Sequence, residues 1–534
     1  MTHSKFTSEV PVLVVGGSLV GLSAALFLAQ QGVDVLTVER HPGTAIHPRA
    51  GHLHLRTLEL MRSVGLELPL ERLSAERYFP NGGVNEVRTL AEGEIAAFIA
   101  NLNEGVAEFS PSRRMFVAQD ALEPLLRDRA EGLGARLRYN ADVVSLEQDH
   151  DGVTATITDG ATGAVEEVRS RYVVAADGNR SPVRGRLGIG LRGHGQLSRS
   201  ATIYFRADCR EFLAGTELGV IYVTNPAVRG FFRFERTGTS GFLVVNTLGD
   251  PTAAGTLDVT RELTTERAAR LVQAAIGVPD FPVQIDDVAE WVATADVAER
   301  YQAGRIFLAG DAAHVVPPNG GFGGNTGIHD AHNLAWKLAL VVHGTAAPAL
   351  LESYDAERRP VGELTIDQAH ARWLHRVTPE LMPAEVPRLV DEFSMEIGYR
   401  YRSAAILPDP DPADDDALVG HPRKALGQPG SRAPHVELAP GRSTLDLFGL
   451  GFVLLTGDSG RRWQEAAAEA ARAGLPVMAP LAGIASDGIE DAYGIGPAGA
   501  SLVRPDGFVG WRSRGAAPDP AAELRRALTR LLAR

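Results

Sequence analysis

The sequence predicts an α/β protein in which a parallel sheet is interrupted by a mainly antiparallel sheet and followed by a smaller α/β unit. Three observations carry this. A βαβ pattern opens the chain, with β-formers at residues 10–15, a glycine turn, an apolar helical stretch at 19–31 and a second strand at 33–39. From about residue 186 to 290 the pattern becomes short strand-like runs separated by turn residues. Beyond a Pro- and Asp-rich stretch at 407–430, strands and helices alternate again.

Taken in order, helical spacing recurs at 57–64 and 118–132, and alternation marks strands at 143–146, 153–157 and 165–175. In the middle region Ile203-Tyr-Phe-Arg, Gly219-Val-Ile-Tyr-Val, Gly230-Phe-Phe-Arg-Phe and Gly241-Phe-Leu-Val-Val-Asn read as an antiparallel sheet. A strand at 305–309 and a helix at 324–343 restore the first pattern. The last unit runs strand (452–455), helix (463–473), strand (475–478), two short strands (501–504 and 508–511) and a final helix, the order of a thioredoxin-like domain. The chain therefore divides into 1–185 and 291–406, two parts of one nucleotide-binding domain, with a sheet domain at 186–290 between them, a linker at 407–430 and a thioredoxin-like domain at 431–534.

Composition narrows the chemistry. The chain has 534 residues, 44% hydrophobic and 22% charged, an ordinary globular profile with room for several domains. Lys and Arg number 53 against 66 Asp and Glu, and the net charge of −13 argues against nucleic-acid binding. One cysteine, Cys209, excludes an intrachain disulfide, a dithiol centre, a Cys-rich zinc site and a Cys-ligated iron–sulfur cluster. Redox chemistry would then fall to an organic cofactor. Residues 10–33 carry no charge, but Pro11, Gly16, Gly17, Gly21 and Gly32 break the run, so no membrane span is expected. With no secretory pattern near Lys5 and Glu9, a cytoplasmic location is expected.

Two literal G-x-G-x-x-G matches, Gly188 to Gly193 and Gly494 to Gly499, lack the strand-before, helix-after context and read as turns. Gly16-Gly17-Ser18-Leu19-Val20-Gly21 is degenerate, with Ser18 at the second glycine position, but its context fits. Gly16 permits the tight turn, Ser18 is small enough for close backbone approach, Gly21 lets helix and strand pack, and Glu39 ends the next strand, where an acid can accept from ribose hydroxyls. A second constellation, Tyr172-Val-Val-Ala-Ala-Asp177-Gly178-Asn179-Arg180-Ser181, ends a strand in an Asp-Gly turn followed by cations. A third delivers Asp311 at the carboxyl end of a strand, followed by Pro317-Pro318-Asn319-Gly320-Gly321-Phe322-Gly323-Gly324-Asn325 feeding a helix N-terminus, which can stabilise negative charge.

These motifs, in this order, resemble the class A FAD-dependent aromatic hydroxylases, the family typified by p-hydroxybenzoate hydroxylase. Ile46-His-Pro-Arg49-Ala, Arg56-Thr-Leu-Glu59 and Gln119 with Leu122-Glu123-Pro124-Leu125 resemble further family segments, and Ser443-Thr-Leu-Asp-Leu-Phe448-Gly with Leu502-Val-Arg-Pro-Asp-Gly507 resembles the thioredoxin-like extension of the phenol and polyketide hydroxylase branch. The resemblance implies a Rossmann-like FAD-binding domain with an inserted substrate sheet. It implies that Gly16, Ser18, Gly21 and Glu39 hold the ADP half of FAD with Arg40 and Gln119, and that Arg49 reaches the cofactor near the ring. Asp311 would bind the ribityl chain, Pro318, Gly321, Gly323, Gly324 and Asn325 would pack beside the isoalloxazine, and Asp177 to Arg184 would serve the pyrophosphate and, transiently, NADH or NADPH. The implied activity is NAD(P)H- and O2-dependent hydroxylation of an electron-rich phenol or polyketide-derived ring through a flavin C4a-hydroperoxide, in secondary metabolism such as antibiotic biosynthesis. A small aromatic substrate and a homo-oligomer, dimer or higher, are the implied partners.

Other residues have plainer readings. His314, His329 and His332 lack a third ligand at recognised spacing and read as packing or capping groups, so no metal is expected. His47, His52 and His54 read as surface or cofactor-edge residues, and Tyr354-Asp-Ala-Glu-Arg-Arg-Pro360 as a solvated helix with intrahelical ion pairs. Cys209 reads as a small apolar side chain. Tyr222, Arg233, His375 and Arg376 are catalytic candidates by location, with Arg376 first for its permanent charge, although such a cation also suits an exposed surface. A dithiol flavoprotein reductase needs a Cys pair, and a flavin halogenase needs Trp-x-Trp-x-x-Pro, which the 5 tryptophans do not form. A flavin-binding scaffold or ligand carrier without turnover is the non-enzyme alternative.

Overall fold

The computed structural model describes residues 8–49, 51–247, 258–379, 382–383, 386–409, 417–479 and 488–534. The strand Ser8–Val15 pairs in parallel with Val35–Val38 on one side and Val165–Ala175 on the other. Arg136–Arg138 and Ile306–Leu308 extend the sheet in parallel at its two ends. Parallel strands are buried on both faces, which is why these read as continuous apolar runs. The helix Leu19–Gln30 shows the same logic. It packs against Gln119–Gly132 and Phe322–Val342, is buried almost all round, and so has no polar stripe. An antiparallel ribbon, Ala141–Gln148 with Val153–Asp159, joins the edge of Val165–Ala175.

The second sheet runs in the order His314–Val315, Gln284–Ala298, Leu191–Arg206, Ser240–Asn246, Arg229–Phe234, Leu218–Thr224, Gly83–Val87, Glu94–Ile99. All neighbours are antiparallel except Leu218–Thr224 with Gly83–Val87. This sheet exceeds the expected 186–290 boundaries at both ends. Gly83–Val87 and Glu94–Ile99 come from the first part of the chain, and Gln284–Ala298 runs unbroken through residue 290 to pair with His314–Val315. The cause is a long ribbon, Leu191–Arg206 with Gln284–Ala298, that bends between the two sheets at three register shifts. One of these lies at Gly193, so the first perfect G-x-G-x-x-G match ends inside a strand. The second occupies the turn between the helix Ile489–Tyr493 and the strand Ala500–Val503.

The two faces of this sheet do different work. On the outer face Ile203, Phe205, Ile221, Phe232, Phe234 and Cys209 form a separate core with the helix Thr265–Ile276. The inner face carries Tyr204, Tyr222, Phe231 and Phe242.

The C-terminal unit has the strand order Val477–Met478, Phe452–Thr456, Ala500–Val503, Val509–Ser513, with the first pair parallel and the rest antiparallel, the thioredoxin-like arrangement. Of the expected linker, residues 410–416 lie outside the described residues. The described remainder is tied down, since Leu407 N donates to Gly510 O and Gly430 N to Val509 O, both at 2.8 Å.

The helix Ser353–Arg376 corrects one expectation. Arg359 does pair with Asp355 at 3.2 Å and Glu363 at 2.8 Å along the helix. Tyr354, Glu357 and Arg358, however, are buried. Tyr354 Oη donates to Leu308 O at 2.6 Å, and Arg358 Nε reaches Asp330 Oδ1 at 2.7 Å. Charged residues at helical spacing do not reveal which face docks, and here one charged face meets the helix Phe322–Val342. Arg358→Met would leave the fully buried Asp330 without a guanidinium, its remaining side-chain partner among the described residues being the His314 imidazole. Loss of one member of a buried pair destabilises by about 3–5 kcal/mol, so urea unfolding of this variant should show a midpoint shift of that size.

Candidate active site

Three backbone turns converge at the carboxyl ends of the parallel strands. In the first, Gly16 sits at φ +104°, and a Cβ there would strike the carbonyl of Ala176, while one on Gly21 would strike that of Gly16. The turn can pass only as glycine. Gly17 N donates to Glu39 Oε2 at 2.6 Å and His41 N to Glu39 Oε1 at 2.8 Å, so Glu39 is locked against the turn. Ser18 is the N-cap of Leu19–Gln30, but its hydroxyl makes no cap bond and donates instead to Glu123 Oε1 at 2.5 Å, leaving the first-turn amides without a side-chain cap. Gln119 Nε2 donates to Glu123 at 2.6 Å and to Ser18 Oγ at 3.1 Å. Glu123 is fully buried, and its other oxygen accepts from Ala45 N at 2.6 Å. It is the residue that orients Ser18 and Gln119, a role that its place in an amphipathic helix did not disclose. Arg40 and Arg49 are exposed.

The second turn is anchored by Asp177, which accepts from Ser181 Oγ at 2.6 Å and Val183 N at 2.9 Å. Its carboxylate thus starts the short helix Pro182–Arg186, and Arg184 spans to Ala312 O at 2.9 Å and Asn179 O at 3.0 Å. The third turn presents Asp311, whose side chain is open to solvent yet ringed by protein, as on the floor of a cleft. Burial pushes its carboxyl up, against the pull of His314 and Arg49.

The glycine loop follows. Pro318 is exposed, and Gly321, Gly323 and Gly324 lie at the first turn of Phe322–Val342, which carries no acidic residue. Asn325 is spent on structure: Nδ2 donates to Gly321 O and His52 O, both at 2.7 Å, while Oδ1 accepts from Thr57 Oγ1 at 2.7 Å and His54 N at 3.0 Å. His54 Nε2 lies 3.0 Å from Gly320 O, and a Cβ on Gly321 would come to 3.2 Å from that of His52. His54 is therefore buried and His52 half-buried along the edge of the loop.

Above the loop, the inner face of the antiparallel sheet forms an aromatic ladder. Ring centroids lie 5.7 Å apart from Phe98 to Tyr222 and from Tyr222 to Phe231, 6.3 Å from Phe231 to Phe242 and 6.0 Å from Phe242 to Tyr204. Arg376 closes one end, its guanidinium 5.0 Å from the Phe98 centroid and 5.5 Å from that of Tyr222. Tyr222 Oη accepts from Asn319 Nδ2 at 3.3 Å, and Asn319 Oδ1 is buried without a partner. The structure thus brings Arg376 and Tyr222 together beside the glycine loop, half-burying a cation that a surface reading would leave in solvent. It leaves His375 exposed. Phe98 and Asn319 complete this corner. The short edge strand around Phe98 alternates too weakly to be read from sequence.

Arg233 lies elsewhere, between the rings of Tyr78 at 4.2 Å and Phe116 at 4.5 Å, with NH2 donating to Gly51 O at 3.0 Å and a buried Nε without a partner. The three histidines pack as expected. His314 pairs with Asp330 at 2.7 Å, His329 Nε2 lies 3.0 Å from Thr57 Oγ1, and His332 meets Phe27 edge-on at 4.7 Å. Among the described residues no group of His, Cys, Asp and Glu could hold a metal ion.

Residues 9–369 match the FAD binding domain family, and 427–534 match the family described as aromatic-ring hydroxylase, C-terminal. The chain belongs to the FAD-dependent aromatic-ring hydroxylases. It is 62% identical to a 4-methyl-5-nitrocatechol 5-monooxygenase from Burkholderia sp., covering 98% of each chain. It is 43% identical to the tetracenomycin B2 monooxygenase-dioxygenase of Streptomyces olivaceus, over 98% of this chain and 99% of that one. Aklavinone-11 hydroxylase, solved with FAD and aklavinone, superposes with a TM-score of 0.90 at 37% identity, over 98% of this chain and 99% of the other. The hydroxylase is therefore an FAD-dependent monooxygenase with NAD(P)H as co-substrate. The residues present fit the flavin: a glycine turn closed to any Cβ, a helix start without a side-chain cap, and an exposed acid at Asp311. No helix among the described residues is long and apolar enough to cross a membrane.

Two outcomes follow from the buried charges. Burial, with Arg56 beside it, pushes the His332 imidazole down to about 3, against 6.5 in an unfolded chain. Between those values the unfolded chain takes up a proton that the native one refuses. Stability should therefore fall with falling pH by about 1.4 kcal/mol per unit below pH 6.5 for this group, and urea titrations should show a shallower pH slope in His332→Leu. Burial likewise lowers the pKa of Arg233, which has no ion-pair partner among the described residues. Arg233→Met should raise the unfolding free energy of the apoprotein in urea by on the order of 1 kcal/mol, and a loss of stability would show that the rings of Tyr78 and Phe116 and the Gly51 carbonyl offset the buried charge.

Proposed function

We propose that the hydroxylase acts on a small catechol or phenol, bound as its phenolate against Arg376, and that a nitrocatechol is the natural type of substrate. The observation that carries this is the 62% identity to a nitrocatechol monooxygenase along nearly the whole of both chains. Residues 1–185 and 291–406 hold the flavin in this reading, the sheet centred on 186–290 takes the substrate, and the thioredoxin-like unit, 431–534, is structural. Gly16, Ser18, Gly21, Glu39, Arg40 and Gln119 hold the ADP half. Arg49 and Asp311 hold the ribityl chain and ring edge, and Pro318, Gly321, Gly323, Gly324 and Asn325 lie against the ring. The turn at Asp177 receives NAD(P)H. We also propose a cytoplasmic homo-oligomer, in keeping with the absence of an apolar spanning helix among the described residues.

When bound, FAD supplies the transfer of electrons from NAD(P)H and the activation of O2. The chain's own residues do the rest. Arg376, over Tyr222 and Phe98, holds a positive charge where a ring oxygen can lose its proton, and a phenolate directs electron density to the carbon that receives oxygen. Asn319 fixes Tyr222 against the glycine loop, so that the ring is held between loop and sheet. The aromatic ladder excludes water from that space. Oxygen delivered to a nitro-bearing carbon of a nitrocatechol consumes one O2 and one NAD(P)H and yields a hydroxyquinone, nitrite, water and NAD(P)+.

The likeness to aklavinone-11 hydroxylase favours a second reading, a polycyclic polyketide ring in antibiotic biosynthesis. Incubation with NAD(P)H and a panel of catechols, nitrocatechols and anthraquinones separates the two. Ring-dependent NAD(P)H oxidation with stoichiometric nitrite supports the first, and a product heavier by one oxygen without nitrite, from polycyclic rings only, supports the second. FAD binding with no ring-dependent product would leave a ligand carrier. Arg376→Leu should lower kcat/KM about 10²-fold and move its pH profile upward, because phenolate formation then needs higher pH.

A further inference from the structure

Two sequence motifs without an assigned role, Arg56-Thr-Leu-Glu59 and Leu502-Val-Arg-Pro-Asp-Gly507, meet in the interior. The hairpin joining Ala500–Val503 to Val509–Ser513 leaves the thioredoxin-like unit and drives Arg504 and Asp506 into the FAD-binding domain. Arg504 is fully buried. Its NH1 and NH2 donate to Glu357 at 2.6 and 2.9 Å, and its Nε donates to Asp506 Oδ1 at 3.0 Å. Glu357 also accepts from Lys337 Nζ and Asn333 Nδ2, both at 2.8 Å, on the helix Phe322–Val342. The carbonyl of Asp506 accepts from Arg56 NH2. Arg56 NH1 in turn donates to Glu59 at 3.1 Å, which is held independently by Arg432 and by Ser110 Oγ at 2.8 Å.

The neighbour of Arg56 is Thr57, which donates to Asn325, and Asn325 donates to Gly321 O at 2.7 Å. The hairpin is thus joined to the glycine loop through two side chains of one helix and one asparagine. It also grips the helix that the loop opens. The chain of contacts is short, rigid and buried throughout, the form of support that holds a binding site to its working geometry.

We propose that Arg504 and Arg56 are positioning residues for the flavin: the hairpin of the C-terminal unit sets the placement of Thr57 and Asn325, and through them the amides of the glycine loop. The thioredoxin-like unit, which has no thiol, would then be a working part of the flavin site. This rests on the assignment of the glycine loop to the flavin ring.

The test measures FAD affinity of the full-length apoprotein by flavin fluorescence, with the visible spectrum of bound FAD as a second readout. Arg56→Met cuts the link to Asp506 while Glu59 keeps Arg432. It should weaken FAD binding about tenfold and shift the flavin spectrum, with Arg56→Lys recovering most of both. Arg504→Met should act in the same direction, and combined with Arg56→Met should add little, because the two break one connection. Leu524→Ala, in the core of the C-terminal unit, controls for general destabilisation. It should lower Tm while leaving FAD affinity within about twofold. If Arg504→Met fails to fold, Arg56→Met carries the test alone. Unchanged FAD affinity and spectrum in Arg56→Met, or an equal loss in Leu524→Ala, overturns the proposal. Gly321→Val separates the underlying assignment. If it weakens FAD binding while Arg56→Met does not, only the positioning role falls. If it leaves FAD binding intact, the loop assignment falls.

Discussion

Asp330 lies within the helix Phe322–Val342 and gathers three elements on its two carboxylate oxygens: the amide of Gly310 at 3.1 Å, the imidazole of His314 at 2.7 Å and the guanidinium of Arg358 at 2.7 Å. Although burial opposes its charge, Arg358 and then His314 hold its carboxyl below the usual range. The turn that presents Asp311 lies between Gly310 and His314, so both ends of that turn are fixed to one buried charge. The same helix opens at the glycine loop. The separation between Asp311 and the loop is therefore set inside the protein by one buried carboxylate, and a ligand bound between them would meet a site that is already ordered.

Such a charge network is nearly invisible in sequence. Arg358 and Glu357 stand among charged neighbours at helical spacing, and exposed ion pairs are what that pattern most often means. Glu123 is hidden in the same way. The glycine turns were legible for the opposite reason. Gly16 and Gly21 answer to steric limits on backbone conformation, and those limits act directly on residue type within a few positions. The parallel strands were legible because burial on both faces leaves no polar alternation. The sheet's reach into residues 83–99 and past 290 was not, because strand pairing between distant segments leaves no local period to find.

Buried charge falls into two groups in this molecule. Arg358, Arg504 and Arg432 are each matched to a carboxylate, and they join helices to one another and to the C-terminal unit. Arg233 has no such partner, and Arg376 stands over aromatic rings. The first group is structural by its pairing. In the second group each cation rests on aromatic rings instead, Arg233 on Tyr78 and Phe116 and Arg376 on Phe98 and Tyr222.

The pairing also explains why the C-terminal unit is attached as it is. A thioredoxin-like fold without a thiol has no redox work of its own, and a tethered ornament would need only a polar interface. Instead its hairpin inserts two charged side chains at near-zero exposure, where a lone charge would be strongly unfavourable and only complementary partners from both sides make burial tolerable. Neither domain can close this network alone. Lys337 with Glu357 and Arg56 with Glu59 pair on one side, Arg504 with Asp506 on the other, and docking joins the two sets through Arg504 to Glu357 and Arg56 to the Asp506 carbonyl. Docking of the C-terminal unit thereby adds charge-assisted hydrogen bonds to the helix that carries Thr57 and to Glu357, which holds Lys337 on the helix that carries Asn325.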